Sequence, residues 1–272
     1  MTKSFQHGSL KVLWGLALFA NCGAGQWLNY PTRGIPRLPD GKPNLSAPAP
    51  RTADDKPDLS GMWEMKGRPG ETSLLGQLPG PAESVNIASS LQQGLPYQPE
   101  AAQLLTARKA EERVNDPLTH CLPIGPVRLH TFNSPKKIIQ TPGLVVILSE
   151  YNASYRQIFT DGRPLPLDPN PSWNGYSSGH WEGDVLVVET NGFREGLWLD
   201  NAGDPLTDAA RITERFRRVN FGQLEIDLAV NDPKAYTKPW TVTLHQTIVL
   251  NTDLLDYICL ENERDVKHFV AK

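Results

Sequence analysis

Cysteine is scarce in this chain, three residues in 272, and no two of them stand as Cys-x-x-Cys. That spacing excludes a structural zinc site built on cysteine pairs and a thioredoxin-like redox motif. There is no glycine-rich phosphate cradle, and neither sign of charge dominates: 27 basic against 30 acidic residues leave a formal net charge of -3. So balanced a composition gives nucleic acid or an anionic membrane nothing to hold. Long apolar runs are missing as well. The run from Val12 to Ala20 falls short of the roughly 18 residues that a bilayer span requires. What the chain does have is turn chemistry, with 22 glycines and 24 prolines, and a hydrophobic share of 39% that suffices for a core. It reads as a mainly β protein.

Lys3 and Lys11 before that apolar run, with Gly23, Ala24 and Gly25 after it, spell a signal peptide over residues 1–24. A lipid anchor on Cys22 is the competing reading, but Phe19 and Asn21 fit a lipoprotein cleavage box poorly. Losing Lys3 and Lys11 takes the net charge from -3 to -5. The expected location is periplasmic or secreted, without stable membrane insertion. In such an oxidising compartment Cys121 and Cys259 form an intramolecular disulfide or stay as two buried thiols, and the sequence leaves both open.

Residues 25–59 make a Pro-rich arm that repeats itself at a fixed offset: Pro36-Arg37-Leu38-Pro39-Asp40-Gly41-Lys42-Pro43-Asn44-Leu45 is echoed by Pro50-Arg51-Thr52-Ala53-Asp54-Asp55-Lys56-Pro57-Asp58-Leu59. Two copies are too few for a solenoid. The proline density favours an extended, polyproline-like strap that lies along the body or reaches a neighbouring copy, giving a homo-oligomer.

Residues 60–272 are expected to form one domain. A short strand around Trp63 comes first, and Pro99 opens a helix over 99–113 with Ala101, Leu104, Leu105 and Val114 on its apolar stripe. From Lys137 onward, apolar or alternating runs recur between turn signals such as Pro142-Gly143, Asp161-Gly162 and Asn220-Phe221-Gly222. The expected strands are 137–141, 144–151, 154–160, 176–181, 185–190, 211–219, 223–230, 240–250 and 255–261. About ten up-and-down strands protect their edges most simply by closing. The expectation is therefore an antiparallel, up-and-down β-barrel of 8–10 strands with one helix and room for a small ligand.

Period-two alternation puts Leu224, Ile226, Leu228 and Val230 on one face and Glu225 and Asp227 on the other. By the same reading Glu214 shares a face with Ile212 and Phe216, where a carboxylate should not be dry. Glu150, Glu189 and Glu261 repeat the arrangement at strand ends, where an acid also escapes to solvent or pairs with Arg156, Arg215, Arg217 or Arg218. Turned into an apolar cavity, such an acid would act as a general acid or base. Glu150, Glu214 and Glu261 are candidates on that ground, with His180, which shares a strand face with Glu182 and would suit a base or a metal ligand. Two ligands do not make a metal site, and no cofactor is implied. Gly175-Tyr176-Ser177-Ser178-Gly179 matches Gly-x-Ser-x-Gly, yet a strand rather than a helix follows it, so Ser177 lacks the context of a nucleophile elbow. Tyr155, Arg156, Trp173, Tyr176, Trp181 and Tyr257 fall within or beside strands and are candidates to line a pocket for a small apolar or aromatic molecule.

Several segments carry a resemblance. Pro57-Asp58-Leu59-Ser60-Gly61-Met62-Trp63, Cys121-Leu122-Pro123, Gln140-Thr141-Pro142-Gly143, the run from Gly179-His180-Trp181-Glu182-Gly183-Asp184 to Thr190, and Thr213-Glu214-Arg215-Phe216 resemble a large family of secreted bacterial proteins mostly without assigned function. The resemblance implies no catalytic residues. Gly61-x-Trp63 before a meander is also similar to the lipocalin and calycin group, although the helix between them departs from the lipocalin order. The expected function is binding of a small, largely apolar molecule in a barrel cavity, with cofactor-free acid/base catalysis there as the alternative, and a structural or assembly role through the strap as a third.

Overall fold

The computed structural model describes residues 30–65, 86–111, 113–132 and 134–261; the expected signal peptide lies outside them. In chain order the elements are β1 (Gly61–Met65), α1 (Pro99–Ala110), α2 (Gly125–Thr131), β2 (Lys136–Thr141), β3 (Leu144–Ser149), β4 (Tyr155–Phe159), β5 (Tyr176–Glu182), β6 (Val185–Asn191), β7 (Leu197–Trp198), β8 (Pro205–Leu206), β9 (Arg211–Asn220), β10 (Gln223–Asn231) and β11 (Trp240–Val249). Nine of the strands close a barrel in the order β1-β11-β10-β9-β6-β5-β4-β3-β2, and β7 and β8 form a separate ribbon. The mainly β, closed-barrel expectation holds.

Three details depart from a plain antiparallel meander. β4 and β5 pair in parallel, through Ile158 with Ser177 and Phe159 with Ser178. A parallel neighbour needs a crossover, and the segment between them, with Pro164, Pro166, Pro169 and Pro171, supplies it. The expected strand at 255–261 is absent; one bridge between Tyr151 and Tyr257 stands in its place. β11 already has β1 on its free side, so the barrel leaves no edge for another strand. Among the described residues there are two α-helices rather than one, and α1 ends at Ala110, with Leu104 of its expected stripe exposed.

α2 is the helix that sequence periodicity missed. All seven of its residues are buried, so no polar face marks it. Its C-terminal end pushes His130 among the inward side chains of the barrel, with the ring 5.6 Å from that of Phe216 on β9. Gln246 of β11 and Lys136 of β2 both donate to the His130 carbonyl, at 3.1 and 3.3 Å. Elsewhere the interior is filled by Ile138, Ile147, Ile158, Val188, Ile226, Leu228 and Leu244, all at most 2% exposed. These side chains belong to one continuous buried core.

The arm is a strap on its own barrel, although not an extended one. Each repeat folds into the same loop. Leu38 N–H donates to Lys42 O and Asn44 N–H to Pro36 O; in the second copy Thr52 N–H donates to Lys56 O and Asp58 N–H to Pro50 O. Arg37 and Arg51 each donate to the residue four ahead, Gly41 O at 2.7 Å and Asp55 O at 2.6 Å. Arg51 alone goes on to pair with Asp184 in the β5–β6 turn, at 2.6 Å. Between the loops, Gly222 N–H donates to Leu45 O and Phe221 N–H to Ala47 O. A Cβ at Gly222 would stand 2.7 Å from that of Leu45. Gly222→Ala should therefore lift the arm and leave the barrel intact. Hydrogen exchange should show the Phe221 amide losing protection while Ile226 keeps its own, and equal protection at Phe221 in both proteins would refute the contact's importance.

Candidate functional site

Strand alternation decides which side chains meet inside. Arg156 and Ile158 of β4 face inward, as do Ser177 of β5, Thr190 of β6 and Glu214 of β9, all nearly or fully buried. Arg156 Nη1 donates to Glu214 Oε1 at 2.9 Å and its Nη2 bonds Glu214 Oε2, a two-pronged pair. The same guanidinium reaches Ser177 Oγ at 3.1 and 3.2 Å and Thr190 Oγ1 at 2.9 Å, and the two hydroxyls are 2.9 Å apart. His130 Nε2 lies 2.7 Å from Glu214 Oε1. Burial pushes the Glu214 carboxyl up, but the Arg156 charge and the hydrogen bonds from His130 and Arg156 outweigh it and hold it at about 2. Burial holds His130 below its ordinary value despite Glu214, so the imidazole is neutral and its Nε2–H donates.

Directly outside this network, over the β4–β5 seam, lies an open pocket of about 820 Å³. Its lining combines the outward residues Tyr155, Gln157 and Phe159 of β4, Tyr176 and Ser178 of β5, the crossover from Arg163 to Pro166 and from Ser172 to Gly175, and the 152–154 turn. Arg156 and Ser177 lie at its floor. Tyr155 is 60% exposed and Tyr176 39%, so ring faces remain available. Asn174 Nδ2 donates to Tyr155 O at 3.0 Å and holds the crossover to β4. Gly175 has a φ of +63°, and a Cβ there would meet Asn191 O at 2.6 Å, so the chain can enter β5 here only through glycine. Among the described residues the lining holds no carboxylate. Its two arginines are already paired, Arg156 with Glu214 and Arg163 with Asp161 at 2.6 Å.

Four of the six residues expected to line a pocket therefore come together: Tyr155, Arg156, Trp173 and Tyr176. Trp181 instead borders a smaller pocket of about 340 Å³ near the opposite end of the barrel, beside arm residues Thr52 to Asp54. Tyr257 stacks near Tyr151 at 5.8 Å, outside the pocket lining. The four acid/base candidates do not converge. Glu214 is walled behind Arg156. Glu150 accepts from Ser134 Oγ and from the Leu255 amide at 3.2 and 3.1 Å. His180 is exposed, 3.3 Å from Glu182, which in turn pairs with Arg215. Glu261 closes an exposed turn by donating its amide to Ile258 O. His245 points outward toward Glu225 at 3.6 Å and does not approach His130. Among the described residues no three His, Cys, Asp or Glu side chains gather as metal ligands.

Sequence reasoning did not select His130, Lys136 or Phe159 as site residues; it placed His130 on a strand, whereas it lies in α2. Only Lys136, a lysine on the inward face of β2, carried a readable signal, since Ile138 on the same face is core. Comparison with known proteins finds no family model that matches the chain and no similar curated protein. The fold and the wall pocket define a closed-barrel protein with a candidate binding site.

Two predictions follow from the buried charges. Glu214→Gln leaves the Arg156 guanidinium buried without its counter-charge and should cost about 3–5 kcal/mol in denaturant unfolding. Because Glu214 sits at about 2 rather than 4.5, its contribution is present above pH 4.5 and fades as pH falls toward 2, a slope that Glu214→Gln should lack. Lys136 is fully enclosed, and burial takes its ammonium down to about 7 from 10.5, so stability should rise with pH across that window. Lys136→Met should raise the thermal midpoint at pH 6 and lose the advantage by pH 10; a lower midpoint at pH 6 would count against this account.

Proposed function

We propose that this protein binds a small, neutral, ring-bearing molecule in the pocket over the β4–β5 seam. One observation carries the reading: two exposed tyrosines, Tyr155 and Tyr176, border a pocket whose lining has no carboxylate and whose arginines are already neutralised. The volume of about 820 Å³ suits a small molecule rather than a macromolecular face. Aromatic faces accept a flat or puckered ring, while the Gln157 amide, the Ser172 hydroxyl and the oxygens of Ser154 and Ser178 can bond its polar substituents. A phosphate or carboxylate would find no unpaired cation, and an isoprenoid would make no use of the lining's polar groups. A ring bearing hydroxyls meets both requirements. The Cys121–Cys259 disulfide supports a working place outside the cytoplasm, in keeping with the exported character read from residues 1–24. The described residues contain no helix long and apolar enough to cross a membrane.

Trp173 in the pocket wall supplies the readout. Titration with a panel of phenyl and alkyl glycosides and simple neutral phenols should find at least one compound that shifts the tryptophan emission. Tyr155→Ala should weaken that compound about tenfold, a loss of roughly 1.4 kcal/mol. Emission unmoved by every compound, or undiminished affinity in Tyr155→Ala, would defeat the proposal.

A further inference from the structure

The rim of this pocket is tied to the disulfide through one side chain. Asn152 and Ala153 sit consecutively in the left-handed region, at φ 54° and 45°, a conformation that costs a non-glycine residue about 1 kcal/mol or more. With Ser154 they form the pocket wall that leads into Tyr155. The bonds that hold them come from both halves of the bridge. Asn152 Nδ2 donates to Cys121 O at 2.5 Å, and Asn152 Oδ1 accepts from Cys259 N–H at 3.2 Å. The Asn152 amide donates to Tyr257 O at 2.7 Å, two residues before Cys259. Pro123, two residues after Cys121, also lines the pocket. The Cys121–Cys259 link spans 138 residues of chain and is the covalent tie that keeps these two segments beside Asn152.

We infer that the disulfide is a redox clasp for the binding site: formed, it fixes the Asn152–Ser154 rim in its binding shape; reduced, it releases the 255–261 segment, and affinity falls. The inference rests on the reading of the pocket as a binding site. It makes binding a property of the protein in an oxidising compartment. With a trialkylphosphine as reductant, the S–S bond breaks, phosphorus gives up two electrons and takes oxygen from water to become the phosphine oxide, and the two protons of that water complete the thiols of Cys121 and Cys259.

The test treats the folded protein with tris(2-carboxyethyl)phosphine and follows two readouts. Amide exchange at Asn152 and Cys259 should quicken about tenfold or more while Ile147 and Ile226 in the barrel stay protected. Affinity for the tightest-binding glycoside or phenol of the panel should drop about tenfold. Asn152→Gly, which keeps the left-handed turn and loses both side-chain bonds, should reproduce part of that drop with the disulfide intact. Cys121→Ser with Cys259→Ser should match the reduced protein. Exchange that does not change on reduction overturns the clasp, and so does local loosening with unchanged affinity. Failure of the pocket reading looks different: no probe binds even the oxidised protein, and the inference falls with it.

Discussion

Glu214 is the group on which the interior of this barrel depends. A carboxylate on the dry face of a strand is costly to bury, and it persists here because Arg156 and His130 between them surround it. The arrangement joins three elements distant in sequence: β4 through Arg156, β9 through Glu214 and α2 through His130. It also compensates for a weakness in the wall. β4 and β5 share only two register positions, Ile158 with Ser177 and Phe159 with Ser178. From inside, Arg156 bridges the same seam to Ser177 and Thr190. Side-chain hydrogen bonds thus do across this seam what backbone bonds do around the rest of the barrel.

That substitution explains why the pocket lies where it does. Where antiparallel strands run in full register the outer wall is smooth, and a short parallel pair fed by a Pro-rich crossover breaks it. The crossover is held down closely: a Cβ at Gly192 would stand 2.5 Å from Pro169 Cγ, and Asn191 Nδ2 donates to Pro166 O at 2.8 Å. Proline limits the loop's freedom before any ligand arrives, which lowers the ordering cost of binding. Arg163 lies over the Phe159 ring at 3.8 Å and Arg194 over Trp173 at 4.3 Å, each covering a face of a lining aromatic. Tyr155 and Tyr176 keep the most exposed ring surface among the lining aromatics.

Much of this was legible from period-two alternation alone. Glu214 stood out as an acid on the apolar face, and Tyr155, Arg156, Trp173 and Tyr176 stood out, with Trp181 and Tyr257, because they fall within or beside strands. What alternation cannot give is the partner. Glu150 and Glu261 looked like Glu214 on paper, yet Glu150, just past β3, turns to the Leu255 amide and Glu261 lies in an exposed turn, whereas Glu214 is mid-strand and has no exit. Tyr257 was assigned to a strand that has no edge to join. α2 escaped because a seven-residue helix buried on every side shows no period, although Gly125-Pro126 marks its start. The crossover was readable in principle, since four prolines between Thr160 and Gly175 cannot form a hairpin.

A buried core and a pocket in the wall also divide the sequence between two tasks. In a hollow barrel the residues that choose the ligand are the residues that fill the core, and changing one disturbs the other. Here the core is closed by Glu214, His130 and their apolar neighbours. The pocket is lined by the outward side of β4 and β5, the crossover and the 152–154 turn. Substitutions at Tyr155, Gln157, Tyr176 or Ser178 alter outward side chains and leave the buried network its own bonds. Arg156 and Ser177 are where the two tasks meet, each buried in the network and each at the pocket floor. A ligand that reached Ser177 Oγ would compete with Arg156 for the same oxygen, so binding there would be felt at Glu214 and through it at α2.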